Sequence, residues 1–139
     1  METVRYLADF KNLDAIRELV GEAARRAGFD DREVYAIQLA TDEACSNIIE
    51  HAYRDMPPGE IEISYEADED HMTIVIHDHG RTFDLSAVPQ PNLTCDLRQR
   101  TLGGLGVYFI QNLMDEVRFE SSPQTGNTLT MIKRKLRRG

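Results

Sequence analysis

The sequence predicts an α+β two-layer sandwich: a mixed, mostly antiparallel sheet with its helices on one face. Three observations predict it. Apolar residues recur at helical spacing over the first third of the chain, and near residue 61 the period shortens to two. The alternating segments then come in pairs joined by short polar turns, which favours hairpins over parallel crossovers. The 139 residues, 41% apolar and 29% charged, suit a single domain with one core, and no repeat or linker-like tract divides them.

The elements follow in order. Residues 4–8 read as a short opening strand. Asn12 reads as the N-cap of a first helix, in which Leu13, Ile16, Leu19, Val20, Ala23 and Ala27 keep helical spacing until Gly28 stops the run. A second helix starts near Asp30, with Glu33 in its first turn. It carries Val34, Ile37, Thr41, Ala44, Ile48 and Ala52 on one stripe and ends before the Pro-Pro-Gly of residues 57–59. Ile61, Ile63 and Tyr65 alternate with Glu62, Ser64 and Glu66, as in a half-buried strand. Residues 67–71 form a polar turn and 72–76 the returning strand. Residues 79–100 have little periodicity, and a loop of that length in a small domain reads as a lid or binding loop. Residues 105–114 form a third helix opened by glycines, and 117–120 with 128–135 a last hairpin.

Charge excludes some functions. A net charge of −8 speaks against nucleic acid as the main partner, which requires a basic footprint. No apolar run approaches the roughly 20 residues of a membrane-spanning helix, and the first residues lack the order of a secretory signal. Cys45 and Cys95 are far apart; they allow one disulfide, but read better as two reduced thiols of a cytoplasmic protein. The basic end (Lys133, Arg134, Lys135, Arg137, Arg138) reads as a solvated strand and tail or as a docking patch; composition leaves both open.

Three clusters carry chemistry. Glu43 and Asn47 lie four apart on the second helix, so both project from one row, offset by about 40°. That row borders the apolar stripe, where a carboxylate and an amide need partners, and His51 extends it. Next, the strand at 74–76 runs into His77-Asp78-His79-Gly80. An acid at a strand end can accept from an exocyclic amine or simply cap a turn, while His77 and His79, with His71 across the hairpin, offer a weak metal-ligand set. Finally, Gly103, Gly104 and Gly106 precede an apolar helix, where backbone N–H groups can meet phosphate. The spacing matches neither a Walker loop nor a dinucleotide fingerprint.

In this order, with Gly126-Asn127-Thr128 before the last strand, the motifs resemble those of the Bergerat-fold ATPases of gyrase, Hsp90 chaperones and sensor histidine kinases. Within that group the chain is most similar to the bacterial anti-sigma-factor serine/threonine kinases, and residues 41–53 resemble their first ATP box. The resemblance implies ATP as substrate and Mg²⁺ as its ion. It implies Asn47 as metal ligand, Glu43 as base, and Asp78 as acceptor for the adenine amine, with Gly80 letting backbone approach the base. Residues 81–106 would form a lid, with Gly104 and Gly106 on the phosphates, Arg100 its arginine, and Thr128 near adenine. The implied partners are a sigma factor and an anti-anti-sigma (STAS-type) protein, with a homodimer left open and neither nucleic acid nor membrane bound directly. The alternative is a nucleotide-gated binding regulator without phosphotransfer. One position departs from the pattern: Thr82 stands where a second glycine is usual, ahead of Phe83, and a β-branched residue tolerates positive φ poorly.

Overall fold

The computed structural model describes residues 1–53, 56, 57, 59–81 and 110–136. Strand β1 (Glu2–Leu7) leads through a 3-10 turn (Phe10–Asn12) into α1 (Leu13–Arg26). Asp9 caps that turn by accepting from Lys11 N, and Asn12 instead donates its side-chain amide to the Leu7 carbonyl. Asn12 thus holds the N-cap position of α1 without a capping bond. Beyond α1, Gly28 takes φ +95°.

Helix α2 (Asp31–Asn47) begins with a capping box. Asp30 Oδ1 accepts from Glu33 N at 2.8 Å and Glu33 Oε1 from Asp30 N at 3.0 Å, a cap contributing about 0.5–2 kcal/mol. Glu33 Oε2 also accepts from Leu136 N at 3.0 Å, tying the last described residue to the start of α2. The six stripe residues are all buried. The α-helical pattern ends earlier than the stripe: Ile48–Ala52 form a π turn closed by Tyr53 N on the Ile48 carbonyl.

Strands β2 (Glu60–Ala67), β3 (His71–Asp78), β4 (Glu116–Ser122) and β5 (Gly126–Arg134) complete a sheet in the order β1-β2-β3-β5-β4. The expected α+β class is observed. Every pairing among the described residues is antiparallel, so the mixed component of that expectation does not occur among them. Of the third helix expected over 105–114, residues 110–114 are described: 110–113 are helical and Met114 already bends away. No helix is long and apolar enough to cross a membrane among the described residues.

Strand parity fixes the core. Ile61 and Ile63, then Met72, Ile74 and Ile76, then Leu129 and Met131 all face α1 and α2, meeting Ile16, Val20, Val34 and Ile37. The intervening Thr73, Val75 and His77 lie on the other face and are half-buried. Two steps beyond Ile76 in the same parity stands Asp78, and two before Leu129 stands Asn127; both are 1% exposed. The register pairs Asp78 with Asn127. Two polar residues thus occupy core-facing positions at one end of the sheet.

Candidate functional site

Asp78 is the last residue of β3, and the turn after it folds back on its carboxylate. Oδ1 accepts from Gly80 N at 2.8 Å and from Asn127 Nδ2 at 2.8 Å. Oδ2 is buried and has no hydrogen-bond partner among the described residues. An unmet buried acceptor costs about 1–3 kcal/mol and calls for a donor beyond the described residues. Burial pushes the Asp78 carboxyl above the usual carboxylate range, while the bonds from Asn127 and Gly80 and the nearby His77 and His79 oppose the rise.

That raised pKa has a testable sign. The folded-state pKa lies above the unfolded one, so folding disfavours ionised Asp78. The resulting penalty is absent below the ordinary carboxylate range and grows as pH rises through the folded pKa. Asp78→Asn keeps an oxygen for Gly80 and Asn127, and should raise the thermal midpoint near neutral pH. The gain should shrink on acidification and vanish near pH ~3. A gain of equal size at both ends of a pH series of melts would contradict this account.

Gly80 serves packing here. A Cβ would sit 2.5 Å from the Ala52 carbonyl oxygen and 2.8 Å from its Cβ. Arg81 N, next in the chain, donates to that carbonyl at 2.5 Å, satisfying a helix-end acceptor. Tyr53 adds a second stitch: its hydroxyl accepts from His79 N at 3.1 Å and donates to the Glu60 carbonyl at 2.9 Å. The end of the second helix and the Asp78 turn are therefore joined directly. Gly126 also has a steric cause, for it takes φ +85° and a Cβ would lie 2.2 Å from the Asp78 carbonyl oxygen.

Asn47 closes α2. It is 4% exposed, and its Nδ2 has no hydrogen-bond partner among the described residues. Asn47 and Asp78 line one small cavity with Ala44, Ile48, Ile76 and Asn127. Its volume, about 10 Å³, suits roughly one water. Glu43, one turn earlier, is half-buried. Its carboxyl is raised chiefly by burial, then by Asp42 and Glu50. The π turn is about one residue wider than an α turn, which takes His51 off the row that an uninterrupted α-helix gives it.

Thr128 is elsewhere. Its hydroxyl bonds His77 Nδ1 at 2.7 Å on the outer face of the sheet, and its neighbour Asn127 is the residue beside Asp78. Parity could have identified Asn127, since it shares the face of Leu129 and Met131. No group of three or more His, Cys, Asp or Glu able to hold an ion occurs among the described residues. His77 and His79 stack edge to face at 4.6 Å instead. Thr82, Phe83, Cys95, Arg100, Gly104 and Gly106, with the rest of the expected lid after Arg81, lie outside the described residues. A larger cavity of about 740 Å³ lies between α1 and the β1–β2 edge, beside Tyr6, Leu19, Ala23 and Tyr65. It contains none of the expected site residues, and size alone does not make it the site.

Residues 6–133 match the family described as the histidine kinase-like ATPase domain. Serine-protein kinase RsbW of Bacillus subtilis is 35% identical over 124 residues, covering 85% of this chain and 75% of its own. RsbW of Halalkalibacterium halodurans is 31% identical over 138 residues, covering 95% and 83%. Among solved structures, the RsbU and RsbW domains of a Mycobacterium tuberculosis protein give a TM-score of 0.64 at 17% identity, over 96% of this chain and 32% of theirs. This chain therefore spans about a third of that one. The histidine kinase domain of an Erythrobacter litoralis blue-light activated kinase gives 0.55 at 15% identity, over 89% and 59%. At these identities the structural likeness speaks for the fold.

Proposed function

We propose, because this chain belongs to the histidine kinase-like ATPase domain family, that it is an ATP- and Mg²⁺-dependent protein serine/threonine kinase. Its substrate is a serine of an anti-anti-sigma (STAS-type) protein, and in its nucleotide-bound state it restrains a sigma factor. The identity with serine-protein kinases over most of the chain supports the activity. The single observation that carries the nucleotide site is Asp78 Oδ2, a buried acceptor at the end of the core with no donor among the described residues. An adenine amine is a donor; a guanine presents a carbonyl at the same place.

The residues divide the work. Asp78 selects and seats the base. Asn47 would hold the ion through its amide oxygen; the fit rests on a buried amide whose nitrogen has no hydrogen-bond partner among the described residues and which a half-turn exchanges with its oxygen. Bound Mg²⁺ neutralises phosphate charge and keeps several waters, so it needs few protein ligands. Glu43 takes the proton from the incoming serine hydroxyl as its oxygen bonds the γ-phosphorus and the bond to the β-phosphate oxygen breaks, releasing ADP. Phosphoryl transfer asks mainly for positioning and charge neutralisation. A raised carboxyl suits a base working near neutral pH.

Nucleotide choice tests this reading. ATP and ADP should bind by calorimetry, and GTP at least about tenfold more weakly, the lower range for leaving a buried acceptor unpaired. Equal affinities for ATP and GTP would remove Asp78 from base recognition.

A further inference from the structure

We infer that Asn127 is a positioning residue for base selection, fixing the Asp78 carboxylate so that Oδ2 alone meets the base. The inference rests on the nucleotide reading of this site and adds a residue to it.

The hydrogen-bond geometry supports this. Asn127 Nδ2 donates to Asp78 Oδ1 at 2.8 Å and to the Arg81 carbonyl at 3.0 Å, while Ser121 Oγ donates to Asn127 Oδ1 at 2.5 Å. A carboxylate and a backbone carbonyl are acceptors only, so the amide nitrogen must face them and the oxygen must face the hydroxyl. Both N–H groups of the amide are thus committed. Asp78 Oδ1 in turn receives two donors, Asn127 and Gly80 N. The two carboxylate oxygens are equivalent, but turning the carboxylate plane away would break both bonds inside the core, where unmet groups are costly. One oxygen, Oδ1, is therefore held inward by two donors, and the other, Oδ2, has no hydrogen-bond partner among the described residues. The same amide binds the carbonyl of Arg81, so the base acceptor and the chain leaving the turn are held by one side chain. Residues with a single donor, such as serine or threonine, cannot serve both acceptors at once.

The arrangement makes an unusual demand on Asp78→Asn. Two donors pin an oxygen inward, so the new amide nitrogen must point outward. An acceptor for adenine becomes a donor suited to the guanine carbonyl.

The test measures affinities of the folded protein for ATP and GTP by calorimetry, in wild type, Asn127→Ala and Asp78→Asn, with thermal melts alongside. In Asn127→Ala the ATP-over-GTP ratio should fall about tenfold, the worth of a bond to a charged group. A general packing defect would instead weaken both nucleotides together. Asp78→Asn should reverse the preference towards GTP. A wild-type ratio retained in folded Asn127→Ala overturns the inference, as does Asp78→Asn binding without reversal. If Asn127→Ala does not fold, Asp78→Asn decides alone. A wild type indifferent to the base is a different failure, visible before any variant is made: it overturns the nucleotide reading and this inference with it.

Discussion

Glu43→Gln should slow phosphate transfer to the anti-anti-sigma serine by about 10²–10⁴-fold, the usual contribution of a general base, while Mg·ATP still binds. The substitution keeps the size and the hydrogen-bonding oxygen but removes the charge and the proton acceptor. It should not unfold the protein, because Asp42 and Glu50 both raise Glu43 by repulsion and removing its charge relieves them. A single-turnover assay at saturating ATP reads the rate directly. The wild type should lose activity as pH falls through the raised Glu43 pKa, on an acid limb lying above the ordinary glutamate range. Glu43→Gln should lack that limb. Equal rates for the two proteins would assign the base elsewhere. If the wild type transfers no phosphate to its cognate partner, yet ATP changes partner affinity, the chain is a nucleotide-gated regulator.

Asn47→Ala should weaken Mg·ATP binding by about 10–100-fold or more, since even residues that merely orient metal ligands are worth that much. Metal-free ADP should lose far less, because the base-binding carboxylate is untouched. Asn47 is 4% exposed at the end of α2, so melts must accompany the titrations. A fold defect would reduce both affinities in parallel. Unchanged Mg·ATP affinity in a folded Asn47→Ala would end the proposed metal role.

These expectations draw on unequal parts of the sequence. The helices were legible because their stripes are long: Val34 through Ala52 repeat often enough to mark one buried face. The strands were legible as alternation, and their ends less so. Asp78 and Gly126, expected just outside their strands, are paired within them, because ladder bonds continue through residues whose propensity favours turns. The π turn was not legible. Nothing in Ile48–Ala52 distinguishes it from an α-helix, and its carbonyl partner, Arg81 N, is almost 30 residues away.

Sequence by itself determined the fold class, the element order and the residue types brought to the site, because period, caps and turn chemistry are local properties. It also placed Glu43 and Asn47 on one row, which needs only the pitch of a helix. Tertiary structure alone decided which atoms are committed and which are free. Asp78 Oδ1 is bound because β5 sets Asn127 opposite it and the turn returns Gly80 N to it, while Oδ2 has no partner among the described residues. Thr128, chosen from the sequence, faces the other side because one residue of parity separates the two faces of a strand. Gly80 proved to make room for Ala52, a contact between segments that no local pattern relates. Hydrogen-bond saturation is a property of neighbours in space, so it appears only when the strands and the helix end are brought together.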